Sequence, residues 1–396
     1  MTAATTTIPA TRVEPGLLDD IKRFGAADVS ACFSCGVCTA TCPLLAEDPE
    51  GGTFPRRIIR YAQLGLRDKL LASRELWTCY ACGQCSEQCP QQAEPSEFMA
   101  AARRYAIASY DRTRLARTLA TRPLMASLLA VLLAAVLGGF MYTVHGPASA
   151  TSLDLFGFIP AEVVHNLGIA VMAVVFIAGL AGVAAMVVRL RRSVAPGWTV
   201  RRGLNAAWQA VVTEALAQRR YRRECETEVR PWYLQRWFVH AMTMWGFLGL
   251  LAATLADYGL ELAGIKPTGT PVPIWYPVRL LGTLAGLALM YGTTVLAIRR
   301  HRAEERSLRH STVADWLFLA LLWLAGASGF ALELALYLPE APAWGYPVFL
   351  FHVAVAMELV LLVPFTKFVH AVYRPVALFF LALAGGEAHT GQEVSR

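Results

Sequence analysis

The chain has 396 residues, 56% of them hydrophobic and 16% charged, with a mean hydropathy of +0.43 and a formal net charge of +7. An ordinary soluble protein is excluded: the first hundred residues are normally polar, so the excess apolarity falls on the C-terminal three quarters. The positive charge requires no nucleic-acid partner, because it flanks apolar stretches, where it sets topology and meets anionic lipid headgroups.

Residues 1–16, rich in Thr and Ala with Pro9 and Pro15, read as a disordered lead-in. A domain at 17–108 follows, built on two copies of one pattern: Cys32-x-x-Cys35-x-x-Cys38-x-x-x-Cys42-Pro43 and Cys79-x-x-Cys82-x-x-Cys85-x-x-x-Cys89-Pro90. Three thiolates at this spacing can wrap one face of a cubane, and a fourth from a turn before proline completes the coordination, so each copy reads as a [4Fe–4S] site. Disulfides would need an oxidising compartment, and residues 1–30 hold no apolar leader. Zinc sites show paired knuckles, not a triple with a trailing Cys-Pro. In two-cluster ferredoxins the trailing cysteine ligates the other cluster. By that analogy Cys32, Cys35, Cys38 and Cys89 hold one cluster, and Cys79, Cys82, Cys85 and Cys42 hold the second. Gly36 and Gly83 suit tight turns within the motifs. The segment FPRRIIRYAQLGLRDKLLASRELW between them predicts short helices that cover the clusters. Cys225, in a basic polar stretch, reads as an ordinary thiol.

A membrane domain is expected at 120–375. Apolar stretches long enough to cross a bilayer occur near 123–144, 162–188, 237–257, 277–298, 313–337 and 347–369, which predicts six transmembrane helices. The tail at 376–396, with its Gly-Gly pair and polar end, is expected to fray. Arginines crowd the segment before the first span, the 189–236 loop and the 299–309 loop, whereas the other loops carry only Lys266 and the span-edge Arg279. The positive-inside rule then puts the cluster domain and both termini in the cytoplasm of a multi-pass inner (cytoplasmic) membrane protein. Residues 201–223 predict an amphipathic helix on the inner leaflet.

Histidines inside spans are costly and are candidates for function. His352 and His370 lie 18 residues apart in the expected final span, which is five whole turns, so they point to one side from opposite ends. His240, near the cytoplasmic end of the third span, matches His370 in depth, and the two form the best bis-histidine pair for haem b. His165 is the available partner for His352, and His145 is a weaker one. His301 and His310, in a basic loop, read as solvated. Glu358, Glu333 and Lys367 are charges within spans; Glu358 suits proton exchange with a quinone. Arg279, Trp275 and Tyr276 mark the outer interface.

These residues resemble two known families joined in one chain. CFSCGVCTATCP, the Pro-Arg-Arg between the motifs and ELWTCYACGQCSEQCP are similar to the C subunit of heterodisulfide reductase. The spans with His240 and the pattern His352, Pro364-Phe365-Thr366-Lys367, His370 resemble the nitrate reductase gamma-subunit type of cytochrome b. The expected fold is mainly α, a small helical two-[4Fe–4S] ferredoxin-like domain followed by a six-helix transmembrane bundle, in which the first span departs from the cytochrome b pattern and links the ferredoxin-like domain to a five-helix core. The resemblance implies haem b, exchange with a quinone, and a cytoplasmic catalytic redox subunit of the disulfide reductase or flavoprotein type. Where the gamma-subunit pattern has a second histidine in the third span, this chain has Leu250, so a second haem would need a replacement ligand such as His165.

No Gly-rich dinucleotide fingerprint follows a strand, and no Cys-Cys-Gly motif is present, so substrate chemistry would belong to the partner. The expected function is an electron-transfer subunit relaying between quinone, haem b and two clusters. The alternatives are a redox-driven transporter using Glu358, Lys367 and Glu333, and an iron–sulfur sensor or anchor without haem.

Overall fold

The computed structural model describes residues 12–45, 54–149, 151–191, 198–224, 230–267, 272–338, 340 and 342–393. Cys225 and residues 1–11 of the expected lead-in lie outside these. Every regular element among the described residues is helical, which agrees with the fold expected from sequence. In chain order they are α1 (Leu17–Lys22), α2 (Val37–Ala40), α3 (Arg56–Gln63), α4 (Arg67–Leu71), α5 (Glu75–Thr78), α6 (Gln84–Glu87), α7 (Pro95–Tyr110), α8 (Leu115–Thr121), α9 (Pro123–Thr143), α10 (Leu155–Phe158), α11 (Ala161–Leu190), α12 (Val200–Trp208), α13 (Arg219–Glu224), α14 (Arg236–Leu262), α15 (Pro277–Arg302), α16 (Arg306–Arg309), α17 (Val313–Tyr337), α18 (Gly345–Leu361) and α19 (His370–Glu393).

The chain divides into two compact units. The first gathers the segment up to Tyr110, Val183–Ala217 and the C-terminal segment from His370. It therefore holds more than the 17–108 domain: the end of α11, α12 and α19 fold with the cysteine motifs. α3, α4 and α5 are the short helices expected between the motifs. Apolar residues at helical spacing give them and α7 one buried face, with Ile58 and Ile59, Leu70 and Leu71, Leu76 and Trp77, and Phe98 and Met99 all at 2% exposure or less.

The second unit holds 111–182 and 218–369. One of its cores is formed by Leu137 and Met141 of α9, Val171 of α11, Leu332 of α17, and Phe349, Val353, Ala354 and Met357 of α18. α14 and α15 pack at close range because glycines line their contact. A Cβ on Gly246 would stand 2.5 Å from the Leu289 nitrogen, and one on Gly292 2.7 Å from the Thr243 nitrogen. Neither backbone atom can move aside. Gly246→Val is therefore expected to lower stability by about 1–3 kcal/mol, read as an earlier thermal unfolding midpoint in detergent. Past the basic ends of α14 and α15, buried Glu305 gathers Arg236 at 3.0 Å, Arg230 at 3.5 Å and Arg299 at 3.6 Å.

Among the described residues six helices are long and apolar enough to cross a membrane, so the chain is a multi-pass membrane protein. Five coincide with the expected spans: α9, α11, α14, α15 and α17. The sixth differs. The expected span at 347–369 breaks after Leu361 into 3-10 turns at Val363–Phe365 and Lys367–Val369, and His370 opens a new helix. Pro364 is the cause, since it lacks an N–H and its ring clashes with the carbonyl four residues back. The sixth candidate is Lys367–Ala384, whereas Gly345–Leu361 is apolar but only 17 residues long. His352 and His370 thus lie on different helices, which overturns the register that placed them on one face.

Two further expectations are corrected. Helical structure continues past Pro375, with α19 running to Glu393. Tyr373, Ala377, Phe380 and Leu383 form its buried face, and that packing outweighs the helix-breaking tendency of Pro375 and Gly385-Gly386. The amphipathic helix at 201–223 is three pieces: α12, a π-helical stretch at Gln209–Leu216, and α13 after a turn at Gln218, whose φ is +51°.

Candidate functional site

The two cysteine motifs fold as copies of one loop. The residue two before each central glycine takes a left-handed conformation, Ser34 at φ +59° and Ala81 at φ +56°, and the glycines follow at +93° and +89°. Gly36 and Gly83 then start α2 and α6. Left-handed turns at non-glycine residues are uncommon and costly, so they mark loops held in a required shape. Turns of this kind direct successive backbone N–H groups inward and make a cradle for anions and iron–sulfur clusters. Amides already approach sulfur at two points: Ala81 N donates to Cys79 Sγ at 3.4 Å, and Ala93 N to Cys89 Sγ at 3.4 Å.

The thiols act on one another across the motifs. Burial pushes the Cys38 thiol up, and Cys32, Cys35 and Cys89 add to the shift. Cys42 is pushed up to about 12, first by burial and then by Cys79 and Cys82 on the other loop. Cys85 is also raised, first by burial and then by Cys79, Cys82 and Cys42. Crowded, buried thiols resist ionising unless a cation compensates, and bound iron supplies it. Among the described residues no three His, Cys, Asp or Glu side chains converge on a single-ion site, whereas a cubane holds each thiolate on its own iron. The donor set and the cradle fit two clusters.

The second loop is the more enclosed. Arg103 of α7 donates from Nε to the Leu76 carbonyl and from Nη2 to the Cys79 carbonyl, both at 2.8 Å, and Arg374 of α19 donates to the same Cys79 carbonyl at 3.4 Å. The first loop is held by α3, where Arg56 donates to the Ser34 carbonyl and Gln63 to the Cys32 carbonyl. Its outer edge is open, with Cys35 exposed and Phe33 76% exposed.

The histidines are placed as follows. His240, on α14 in the second unit, lies edge-on to Tyr221 with ring centroids 5.6 Å apart. His370 opens α19 in the first unit. His352 of α18 lies against α17, its Nδ1 2.9 Å from Ser328 Oγ. Ser328 Oγ itself donates to the Leu324 carbonyl at 2.6 Å. It therefore accepts from His352 Nδ1–H, which leaves the lone pair on Nε2; metal-ligating histidines commonly have this arrangement. Gly329 makes room for the ring, since a Cβ there would lie 3.2 Å from His352 Cε1. His165 is engaged elsewhere: its Nε2 is 3.8 Å from Glu261 and its ring lies tilted against Tyr258 of α14, with centroids 4.6 Å apart. His145 stacks on Tyr142 at 4.4 Å.

Two of the three charges that a transport path would use are held in pairs. Lys367 Nζ is 2.7 Å from Asp315, and Glu333 accepts from Thr283 at 2.9 Å and faces Arg279 at 3.6 Å. Arg279 also donates to the Val272 carbonyl. Glu358 is 1% exposed. Ser328, the Glu305 cluster and the Arg374 contact escaped sequence reasoning, because each joins residues far apart in sequence. Only the Leu-Trp before Cys79 hinted at Trp77.

Two matched loops of four cysteines, in a chain with six membrane-capable helices, define a membrane-bound iron–sulfur protein of the electron-transfer type. The 4Fe-4S dicluster domain family matches residues 28–93, and the citrate utilization protein B family matches residues 112–391. The chain belongs to the citrate utilization protein B family. It is 26% identical to "Citrate utilization protein B" of Escherichia coli over 221 residues, 55% of this chain and 56% of that protein. It is 37% identical over 100 residues to a heterodisulfide reductase C-subunit-like protein of Archaeoglobus profundus, covering 25% of this chain and 52% of that one. Over 59 residues it is 37% identical to the C subunit of the H(2):CoB-CoM heterodisulfide,ferredoxin reductase of Methanothermobacter marburgensis, covering 15% and 30%. The chain thus spans about half or less of the length of these relatives. No solved structure matches it.

Proposed function

We propose that this chain is the membrane subunit of a quinone-linked oxidoreductase, moving electrons in either direction between a quinone and a cytoplasmic catalytic partner. The observation that carries the reading is the composition of the first unit, in which both cysteine loops fold together with α19, the helix that His370 opens. The names of the heterodisulfide reductase relatives, which mark them as subunits, support a partner that does the substrate chemistry. A disulfide reductase-like or flavoprotein subunit fits that role.

We assign Cys32, Cys35, Cys38 and Cys89 to one cluster and Cys79, Cys82, Cys85 and Cys42 to the other. His240 and His370 are the proposed axial ligands of haem b, a pairing carried by the sequence resemblance to the nitrate reductase gamma-subunit type. His352, with Nδ1 anchored on Ser328, is a candidate for a second haem, and His165, beside Glu261, is its weaker companion. Bound at such histidines, haem b would supply a one-electron station within the membrane. At His352 the chain's own Ser328 sets the tautomer and holds the ring. We place the cluster unit and both termini in the cytoplasm, with α18 as the sixth crossing. Its 17 residues rise about 26 Å, and its residues lie in the core of the second unit.

The test is a reduced-minus-oxidised optical spectrum with iron and haem quantification on the anaerobically purified protein, followed by addition of a quinol. A b-type haem beside roughly eight cluster irons, with quinol bleaching the cluster absorbance, is the expected result. Eight irons with no haem and no response to quinol would leave an iron–sulfur anchor and overturn the reading. The ion pairs of Lys367 and Glu333 weigh against the transporter alternative.

A further inference from the structure

We infer that the two clusters are ordered: the Cys79, Cys82, Cys85 and Cys42 cluster exchanges electrons with the membrane side through α19, and the Cys32, Cys35, Cys38 and Cys89 cluster is the outer station. This rests on the relay reading above.

α19 begins at His370, and one turn on it presents Tyr373 and Arg374, the i+3 and i+4 neighbours of that histidine. Both reach the second cysteine loop. The Tyr373 ring lies edge-on to Trp77 with centroids 5.2 Å apart, and edge-on to Tyr110 at 5.6 Å. Trp77 is two residues before Cys79 and is 2% exposed, as is Tyr373. Arg374 donates to the Cys79 carbonyl, and its guanidinium carbon lies 4.2 Å over the Tyr80 ring. A covalent and van der Waals route therefore runs from His370 to a thiolate ligand within one packed cluster of aromatic rings. Electron tunnelling falls steeply with distance and with gaps in packing, so this contact selects the second cluster as the near one.

Exposure gives the other end. Residues 79–86 are all buried or half-buried, whereas Cys35 and Phe33 of the first loop are exposed. The first loop is held by Arg56 and Gln63 of α3. It is the loop a soluble redox partner can approach. Each transfer moves one electron: one cluster goes from the 2+ to the 1+ state as its neighbour goes from 1+ to 2+, and no proton is required. A quinol oxidised to its quinone would supply one electron to each and release its two protons to water.

Arg56 is a cation on the first loop, and Arg374 stands with Arg103 on the second; removing Arg56 or Arg374 should lower the reduction potential of its own cluster, because the reduced form loses a compensating charge. In the full-length detergent-purified protein, EPR-monitored potentiometry with dithionite should show Arg374→Gln lowering one cluster potential and Arg56→Gln lowering the other. Arg374→Lys, which keeps the charge, should leave both in place. A soluble dysprosium chelate should speed spin relaxation of the Arg56-sensitive signal more than that of its neighbour. On mixing with quinol, the Arg374-sensitive signal should appear first. The order is overturned if both substitutions move the same cluster, if the chelate reaches the Arg374-sensitive cluster more strongly, or if quinol fills the Arg56-sensitive cluster first. Failure of quinol to reduce either cluster, with the two signals still assigned by their arginines, instead defeats the relay reading and the electron route with it.

Discussion

Cys89→Ala is expected to remove the cluster of the other motif, not its own. The Cys38 thiol is shifted by Cys32, Cys35 and Cys89, and that of Cys42 by Cys79 and Cys82. Each trailing cysteine is thus electrostatically coupled to the partner loop. On the proposed cross-ligation, Cys89→Ala should bring bound iron from roughly eight to roughly four per chain, and the surviving EPR signal should match that of Cys35→Ala. Cys42→Ala should match Cys82→Ala in the same way. Iron analysis with low-temperature EPR of the four variants decides it. If Cys89→Ala instead resembles Cys82→Ala, each motif closes its own cluster and the assignment fails. Loss of all iron in every variant would show that the two loops load as one body.

The second large effect is on haem. His240→Ala and His370→Ala should each abolish the b-type absorbance, lowering haem content at least tenfold, while about eight cluster irons remain. His352→Ala should spare that haem and remove only a second one, if the purified protein carries two. Pyridine haemochrome analysis beside iron determination reads both quantities on one sample. Full haem retention in His370→Ala would return this residue to a packing role at the start of α19. Loss of cluster iron in the same variant would point the same way, because Tyr373 and Arg374 follow it by one turn and hold the second cysteine loop.

Much of this protein is readable from its sequence where the signal is local. The cysteine spacing is local, and so are the left-handed turns that Gly36 and Gly83 serve. Five spans were legible because α9, α11, α14, α15 and α17 are each continuous apolar runs. The sixth misled for a physical reason: hydropathy integrates over a window and is insensitive to a single missing N–H at Pro364, yet that proline ends α18 and resets the helical phase between His352 and His370. The tail failed in the opposite sense. Pro375 and two glycines argue for an end to regular structure, and only the tertiary surface that buries Tyr373, Ala377 and Leu383 keeps α19 helical. Ser328 was invisible because nothing within its own span requires it. It acts on an imidazole 24 residues ahead.

The anchoring of α19 on the second cysteine loop also has a meaning in time. Trp77 and Arg74 leave the ribosome well before the residues that complete their surroundings, Tyr373 and Phe380 of α19. His370 follows Tyr110 by about 260 residues, which at ~5–20 residues per second is roughly 13–50 s of synthesis. During that interval the second cysteine loop lacks the contacts of Tyr373, Arg374 and Phe380. The surroundings of Trp77 and Arg74 are therefore complete only once α19 has been made.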